Sequence, residues 1–164
     1  ALRARGLWSD RRGANLLDGG TPFYRCYACR DGGFVAVGAL EPRFYAALIQ
    51  GLGLTPDEAP QFDREHWPAL QARFTALFAT RDRDDWAARF AGTEACVTPV
   101  LTLAEAADHP HNRARGTFVE AGIIQPAPAP RFAVSTASVS AERPIRPLDQ
   151  ALDGWSEPTS PRVT

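Results

Sequence analysis

Residues 23 to 39 read FYRCYACRDGGFVAVGA, in which two β-rich runs flank the turn residues Asp31-Gly32-Gly33. Two such runs joined by a short glycine turn predict a β-hairpin, with strands over 23–30 and 34–39. The second run is nearly continuous in apolar residues, which is typical of a strand covered on both faces.

Helices are predicted downstream of this hairpin. Their apolar side chains recur at helical spacing, and the predicted spans are 42–52, 64–80 and 84–91, the last capped by Asp82. A strand over 96–101, a helix from Thr102 and a last strand over 117–121 follow. The order of elements predicts an α+β fold, a small, mainly antiparallel sheet with packed helices. From Gln125 the prolines predict a polyproline-type connector.

Upstream of the hairpin, residues 12–24 read RGANLLDGGTPFY. The carboxylate of Asp18 precedes two glycines, whose missing Cβ allows a ligand or another backbone to approach closely. Pro22 restrains the exit from this turn. The same residue types also suit an ordinary polar turn. Asn15, three residues before Asp18, could orient the carboxylate, but Asn is common at helix ends and is not included in the predicted site.

Composition excludes several classes of function. The chain has 164 residues, a net charge of −1, and no lysine among its 18 basic residues. No segment concentrates positive charge, so nucleic acid is not an expected partner. No apolar run approaches the ~20 residues of a membrane span, so we expect a cytoplasmic protein. The arginine and alanine bias suggests a bacterial coding sequence.

The cysteines and histidines do not predict a metal site. Cys26 and Cys29 form a C-x-x-C, but positions three apart on a strand point to opposite faces. His109 and His111 flank a proline and lack further ligands. We therefore expect structural thiols and no metal.

Four stretches, in order, resemble the α-methylacyl-CoA racemases of the family III CoA-transferase superfamily. They are residues 12–24, 33–45, 95–102 and 111–118, and the resemblance covers roughly residues 12 to 132. It implies an isomerase that inverts C2 of 2-methyl-branched acyl-CoA thioesters without a cofactor, coenzyme A being part of the substrate.

The resemblance also implies site residues. Asp18 matches the family's catalytic aspartate, an acid or base whose pKa apolar neighbours or a preceding helix C-terminus would have to raise. Glu105 matches the glutamate that orients the catalytic histidine. The pattern Thr102-x-x-Glu105 is equally a capping box, and both interpretations stay open.

The family's histidine and most of its CoA-binding residues lie before residue 12, and none of His66, His109 and His111 matches the histidine. We therefore expect a part of a longer protein, inactive in isolation, with the CoA-binding residues unknown. The expected organisation is a remnant of a large, mostly absent Rossmann-like domain over 1–22, a small domain over 23–134 and a Pro-rich tail over 135–164. In the family, two subunits interlock as a homodimer.

Two other functions remain open. In a CoA-transferase of the same superfamily, Asp18 would be a nucleophile that accepts the acyl group. A non-catalytic dimerisation module is the other alternative, and the missing histidine is its support.

Overall fold

The computed structural model describes residues 2–135, 137–139 and 147–152. These fall into two compact units, unit 1 over Ala1–Leu101 and unit 2 over Thr102–Thr164. The predicted tail falls largely on residues outside the described ones, and the predicted division at residues 22 and 134 stays a prediction. Among the described residues, no helix is long and apolar enough to cross a bilayer.

Unit 1 is a three-stranded sheet packed against three helices. The elements are β1 (Tyr24–Ala28), β2 (Phe34–Gly38), α1 (Pro42–Leu52), α2 (Trp67–Phe78), α3 (Arg83–Phe90) and β3 (Val97–Val100). The strands pair antiparallel in the order β1-β2-β3, with Cys26, Ala36 and Thr98 side by side in register. The predicted α+β fold with an antiparallel sheet is confirmed.

The core lies between the sheet and the helices. Tyr27 of β1 stacks on Phe78 of α2, with ring centroids 4.9 Å apart. Phe78 in turn meets Trp86 of α3 edge-on at 5.1 Å. All three side chains are buried. The aromatic residues at helical spacing therefore form a core, as predicted.

The helix boundaries follow the local chemistry. Pro42 lies in the first turn of α1, and Gly53 ends that helix in a left-handed conformation at φ 75°. Helix α2 begins at Trp67 rather than at residue 64, with Pro68 in its first turn, where the missing N–H costs nothing.

The start of α3 differs from the prediction. Asp82 is at the N-cap position, but its side chain makes no cap and accepts from Arg30 at 2.9 Å instead. The acceptor for the Arg83 N–H is Asp31 Oδ2, at 3.2 Å. Asp31 Oδ1 also accepts from the Gly33 N–H at 3.0 Å, so the hairpin turn supplies the helix cap.

Unit 2 consists of short elements. They are α4 (Leu103–Asp108), α5 (Pro110–Arg115), β4 (Phe118–Ala121), β5 (Ile123–Pro126) and α6 (Leu148–Leu152). Strands β4 and β5 form an antiparallel hairpin around Gly122, whose φ is 77°. The prolines after Gln125 led to the prediction of a connector there, and strand β5 was therefore not predicted. None of the described residues of unit 2 is buried.

Candidate active site at the Asp18 turn

The Asp18 carboxylate lies in a turn and accepts hydrogen bonds from Asn15 and Gly13. The Asn15 backbone N–H donates to Oδ1 at 2.8 Å. The Asn15 side-chain amide and the Gly13 N–H donate to Oδ2 at 2.6 and 3.1 Å. A carboxylate that accepts this many bonds has a fixed orientation, which catalysis by proton transfer or by nucleophilic attack requires.

Asn15 is itself fixed from the other side. Its side chain is 5% exposed. Its Oδ1 accepts from the Ser9 N–H at 2.8 Å, and its Nδ2 donates to the Ser9 carbonyl at 3.1 Å. Asn15 is therefore a positioning residue that sequence reasoning left out of the site. Its spacing of three from Asp18 was the available signal.

The two glycines after Asp18 have different roles. Gly19 adopts φ 91°, a conformation that disfavours a side chain. At Gly20, a Cβ would lie 2.5 Å from the Asn15 carbonyl oxygen and 2.7 Å from its backbone nitrogen. The prediction that glycine allows a close backbone approach is correct here, and the approaching backbone is that of Asn15.

Contacts to the rest of unit 1 anchor the turn. Gln71 of α2 donates from Nε2 to the Gly20 carbonyl at 2.9 Å. Thr21, which is fully buried, donates from its hydroxyl to the Leu16 carbonyl at 3.3 Å. The carboxylate is thus attached to the packed core rather than to a free loop.

The pKa of Asp18 moves opposite to the expectation. Desolvation raises it, but the hydrogen bonds from Asn15, Gly13 and Gly20 together outweigh this effect, and the pKa lies below its usual value. The expected helix C-terminus before Asp18 is also wrong, because the residues leading into it form turns. In the free chain Asp18 is therefore ionised at neutral pH.

Glu105 lies in unit 2, at the start of α4. Its carboxylate accepts from the Thr102 N–H at 2.8 Å, and its own N–H donates to the Thr102 hydroxyl at 3.2 Å. This reciprocal pair is the predicted capping box. Asp18 and Asn15 are brought together within unit 1. The orienting role of Glu105 stays a prediction.

Other titratable side chains take structural positions. His66 pairs with Asp63, its Nδ1 lying 2.8 Å from Oδ2, and His109 precedes α5. Cys26 and Cys96 are exposed, Cys29 is buried, and all three thiols are free. The described part of the chain holds no cluster of three or more His, Cys, Asp or Glu side chains that could bind a metal.

An open pocket of about 520 Å³ adjoins the Asp18 turn. Its floor is the face of the sheet that carries the Cys26, Ala36 and Thr98 register. Leu17 and Gly19 border it from the turn. A site of this size, beside a fixed carboxylate, is a candidate for substrate binding.

The fold and this turn define an α+β domain with a fixed, ionised aspartate beside a pocket. The family model described as CoA-transferase family III matches residues 4–148. The chain therefore belongs to CoA-transferase family III.

Two curated relatives resemble the chain over most of its length. The chain is 48% identical over 141 residues to alpha-methylacyl-CoA racemase of Mus musculus. The aligned region covers 84% of the chain and 37% of the relative. The Homo sapiens protein of the same name is 47% identical over 140 residues, with the same coverage. The chain thus spans little more than a third of the length of these relatives. The resemblance to the racemases is confirmed.

Solved structures agree on the fold. Rv3272 from M. tuberculosis superposes with a TM-score of 0.61 at 16% identity, covering 74% of this chain and 37% of that one. A mutant of the same protein gives a TM-score of 0.58 at 19% identity, covering 71% and 35%. At these identities the likeness concerns the fold alone.

Proposed function

We propose that the chain is the part of an α-methylacyl-CoA racemase that carries one acid or base of a two-base site, Asp18. The observation that carries the proposal is the carboxylate held by Asn15 and Gly13, in a chain 48% identical to a protein named as such a racemase. The reaction removes the proton at C2 of a 2-methylacyl-CoA thioester and returns a proton on either face.

The thioester makes the α-proton acidic, but its removal still requires a positioned base, and inversion requires an acid on the opposite face. An ionised Asp18 is ready to act as that base. A bound acyl chain would exclude water from the turn, which strengthens desolvation and brings the carboxylate pKa closer to that of the substrate. Asn15 keeps the accepting oxygen in place throughout.

The remaining components belong to the same proposal. The second acid or base is a histidine that this sequence does not match, and Glu105 orients it. The site uses no cofactor other than the coenzyme A of the substrate. A second copy of the protein forms the interlocked homodimer that the family resemblance implies.

A CoA-transferase is the second candidate, supported by the description of the matching family model. There the ionised Asp18 would attack the thioester carbonyl, expel the CoA thiolate and form an acyl anhydride. The names of the relatives favour the racemase.

Deuterium exchange tests the proposal. The longest natural form of the protein should exchange the α-proton of 2-methyldecanoyl-CoA with D2O. Asp18→Asn keeps the shape and hydrogen bonding of the turn but accepts no proton, so kcat should fall about 10²–10⁴-fold.

Asp57→Asn, at an exposed loop position of unit 1, is the matched control and should leave kcat unchanged. Normal racemisation by Asp18→Asn would exclude Asp18 as the base. Conversion of Asp18 to its hydroxamate, when hydroxylamine is added together with the acyl-CoA, would reveal an activated aspartyl intermediate and favour the transferase.

A further inference from the structure

One glutamine joins the Asp18 turn to the helices of unit 1. Gln71 of α2 donates from Nε2 to the Gly20 carbonyl, across 51 positions of sequence. In the described part of the chain, this is the one hydrogen bond between residues 13–20 and a helix. The other hydrogen bonds of the turn join partners within residues 9–21. The turn is therefore closed locally and fixed to α2 at a single carbonyl.

Helix α2 is a rigid support for this bond. Gln71 is half-buried, and the neighbouring side chains of Leu70 and Phe74 are only 4% and 0% exposed. Because side chains in a close-packed core have little room to shift, the helix cannot move without disturbing that core. The Gln71 amide therefore transmits the position of α2 to Gly20.

Gly20 in turn is tightly coupled to the residues that hold Asp18. A Cβ at Gly20 would lie 2.5 Å from the Asn15 carbonyl oxygen, so the two backbones are in direct contact. The Gly20 backbone also donates a hydrogen bond to the Asp18 carboxylate. A displacement of Gly20 would therefore disturb its own bond to Asp18 and the two bonds that Asn15 donates.

We infer that Gln71 is a positioning residue, which holds the Asp18 carboxylate in the orientation for proton transfer by fixing Gly20 against Asn15. The inference rests on the proposed function, in which Asp18 is an acid or base. Gln71 acts through Gly20, so its role concerns the geometry of the carboxylate. A misplacement of about 1 Å can cost on the order of 10²-fold in rate.

The first test separates the rate of reaction from substrate binding. Gln71→Leu keeps a similar volume and removes the donor. In the longest natural form of the protein, kcat for deuterium exchange into 2-methyldecanoyl-CoA should fall about tenfold or more, with KM nearly unchanged. Gln71→Ala, which is smaller and a good helix former, should give the same result.

Gln61→Leu is the matched control. Gln61 is also half-buried in unit 1, and its Nε2 donates to the Leu40 carbonyl at 2.8 Å, 21 positions away. Because each variant loses one hydrogen bond from a side-chain amide to a backbone carbonyl, Gln61→Leu and Gln71→Leu should lower the melting temperature by similar amounts. Gln61→Leu should leave kcat unchanged. An equal loss of kcat in both variants would reveal general destabilisation and overturn the inference.

Hydrogen exchange tests the positioning without turnover. The backbone N–H groups of Asn15 and Gly13 donate to the Asp18 carboxylate, and NMR measures how fast they exchange with D2O. Exchange should be about tenfold faster in Gln71→Leu and unchanged in Gln61→Leu.

Equal N–H exchange rates in the unchanged protein and Gln71→Leu overturn the inference, and so does a normal kcat in Gln71→Leu. If the unchanged protein exchanges no deuterium into the substrate, the racemase proposal fails. The N–H exchange rates then decide by themselves whether Gln71 holds the carboxylate.

Discussion

Unit 1 and unit 2 differ in how they are stabilised. The helices of unit 1 bury an aromatic core against its sheet, whereas no described residue of unit 2 is buried and Ile124 of β5 is 64% exposed. A unit that buries so little apolar surface cannot offset the entropy of ordering its chain. The comparison indicates that unit 1 carries its own stability, whereas the described part of unit 2 buries too little apolar surface to be stable by itself.

The largest effect is expected for a substitution in the core of unit 1. Phe74→Ala removes a fully buried ring of α2 and should lower the free energy of unfolding by about 3–5 kcal/mol. Ile124→Ala in β5 should change it by less than about 0.5 kcal/mol. Guanidinium unfolding measures both. Equal losses would show that unit 2 has a core of its own and would end the contrast.

A smaller effect separates the two interpretations of Glu105. Thr102→Ala removes the side-chain cap of α4 and should cost about 1 kcal/mol of helix stability without slowing exchange. Glu105→Gln keeps a capping-box residue but removes the charge. It should slow α-proton exchange about tenfold or more, because an amide orients a histidine poorly.

Circular dichroism measures the stability of the helix. The deuterium assay, run on the longest natural form of the protein, measures the rate of α-proton exchange. Exchange at the normal rate by Glu105→Gln would leave the cap as the only role of this residue.

The smallest effect is the response to acid. Hydrogen bonds from Arg73 and Thr55 lower the pKa of Glu58 in unit 1 from 4.5 to about 2, and Asp18 is lowered in the same direction. A carboxylate whose pKa is lower in the folded state than in the unfolded state stabilises the fold at pH values above its unfolded-state pKa. This stabilisation is lost as the pH falls through the folded-state pKa. The stability of unit 1 should therefore decrease between about pH 4.5 and 2.

Glu58→Gln should flatten this decrease, with Asp57→Asn as the control in the same loop. Melting temperatures measured across the range check it. An equally steep decrease in Glu58→Gln would exclude this carboxylate as the cause.

Local patterns predicted much of unit 1. The turn residues Asp31-Gly32-Gly33, the stop at Gly53 and the aromatic spacing of α2 each act within a few residues, so the sequence reveals them. The cap of α3 by Asp31 was not predictable, because it joins residues 52 positions apart. The strand β5 was hidden by its own proline content.

The candidate site was predicted in part. The Asp18 motif predicted the position of the turn, and the missing Cβ of glycine predicted the close backbone approach at Gly20. The direction of the Asp18 pKa was wrong because apolar neighbours are visible in the sequence, whereas the donors from Asn15 and Gly13 depend on how the turn closes.

The two hydrogen bonds of Asp31 affect how long the segment between the hairpin and α3 can be. One carboxylate closes a local turn and fixes the first residue of a helix 52 positions later. The entropy of closing a loop grows only with the logarithm of its length, so doubling the intervening segment adds only about 0.6 kcal/mol. An insertion in the segment between α1 and α2 should therefore cost little stability, while Asp31 keeps α3 in register with the hairpin.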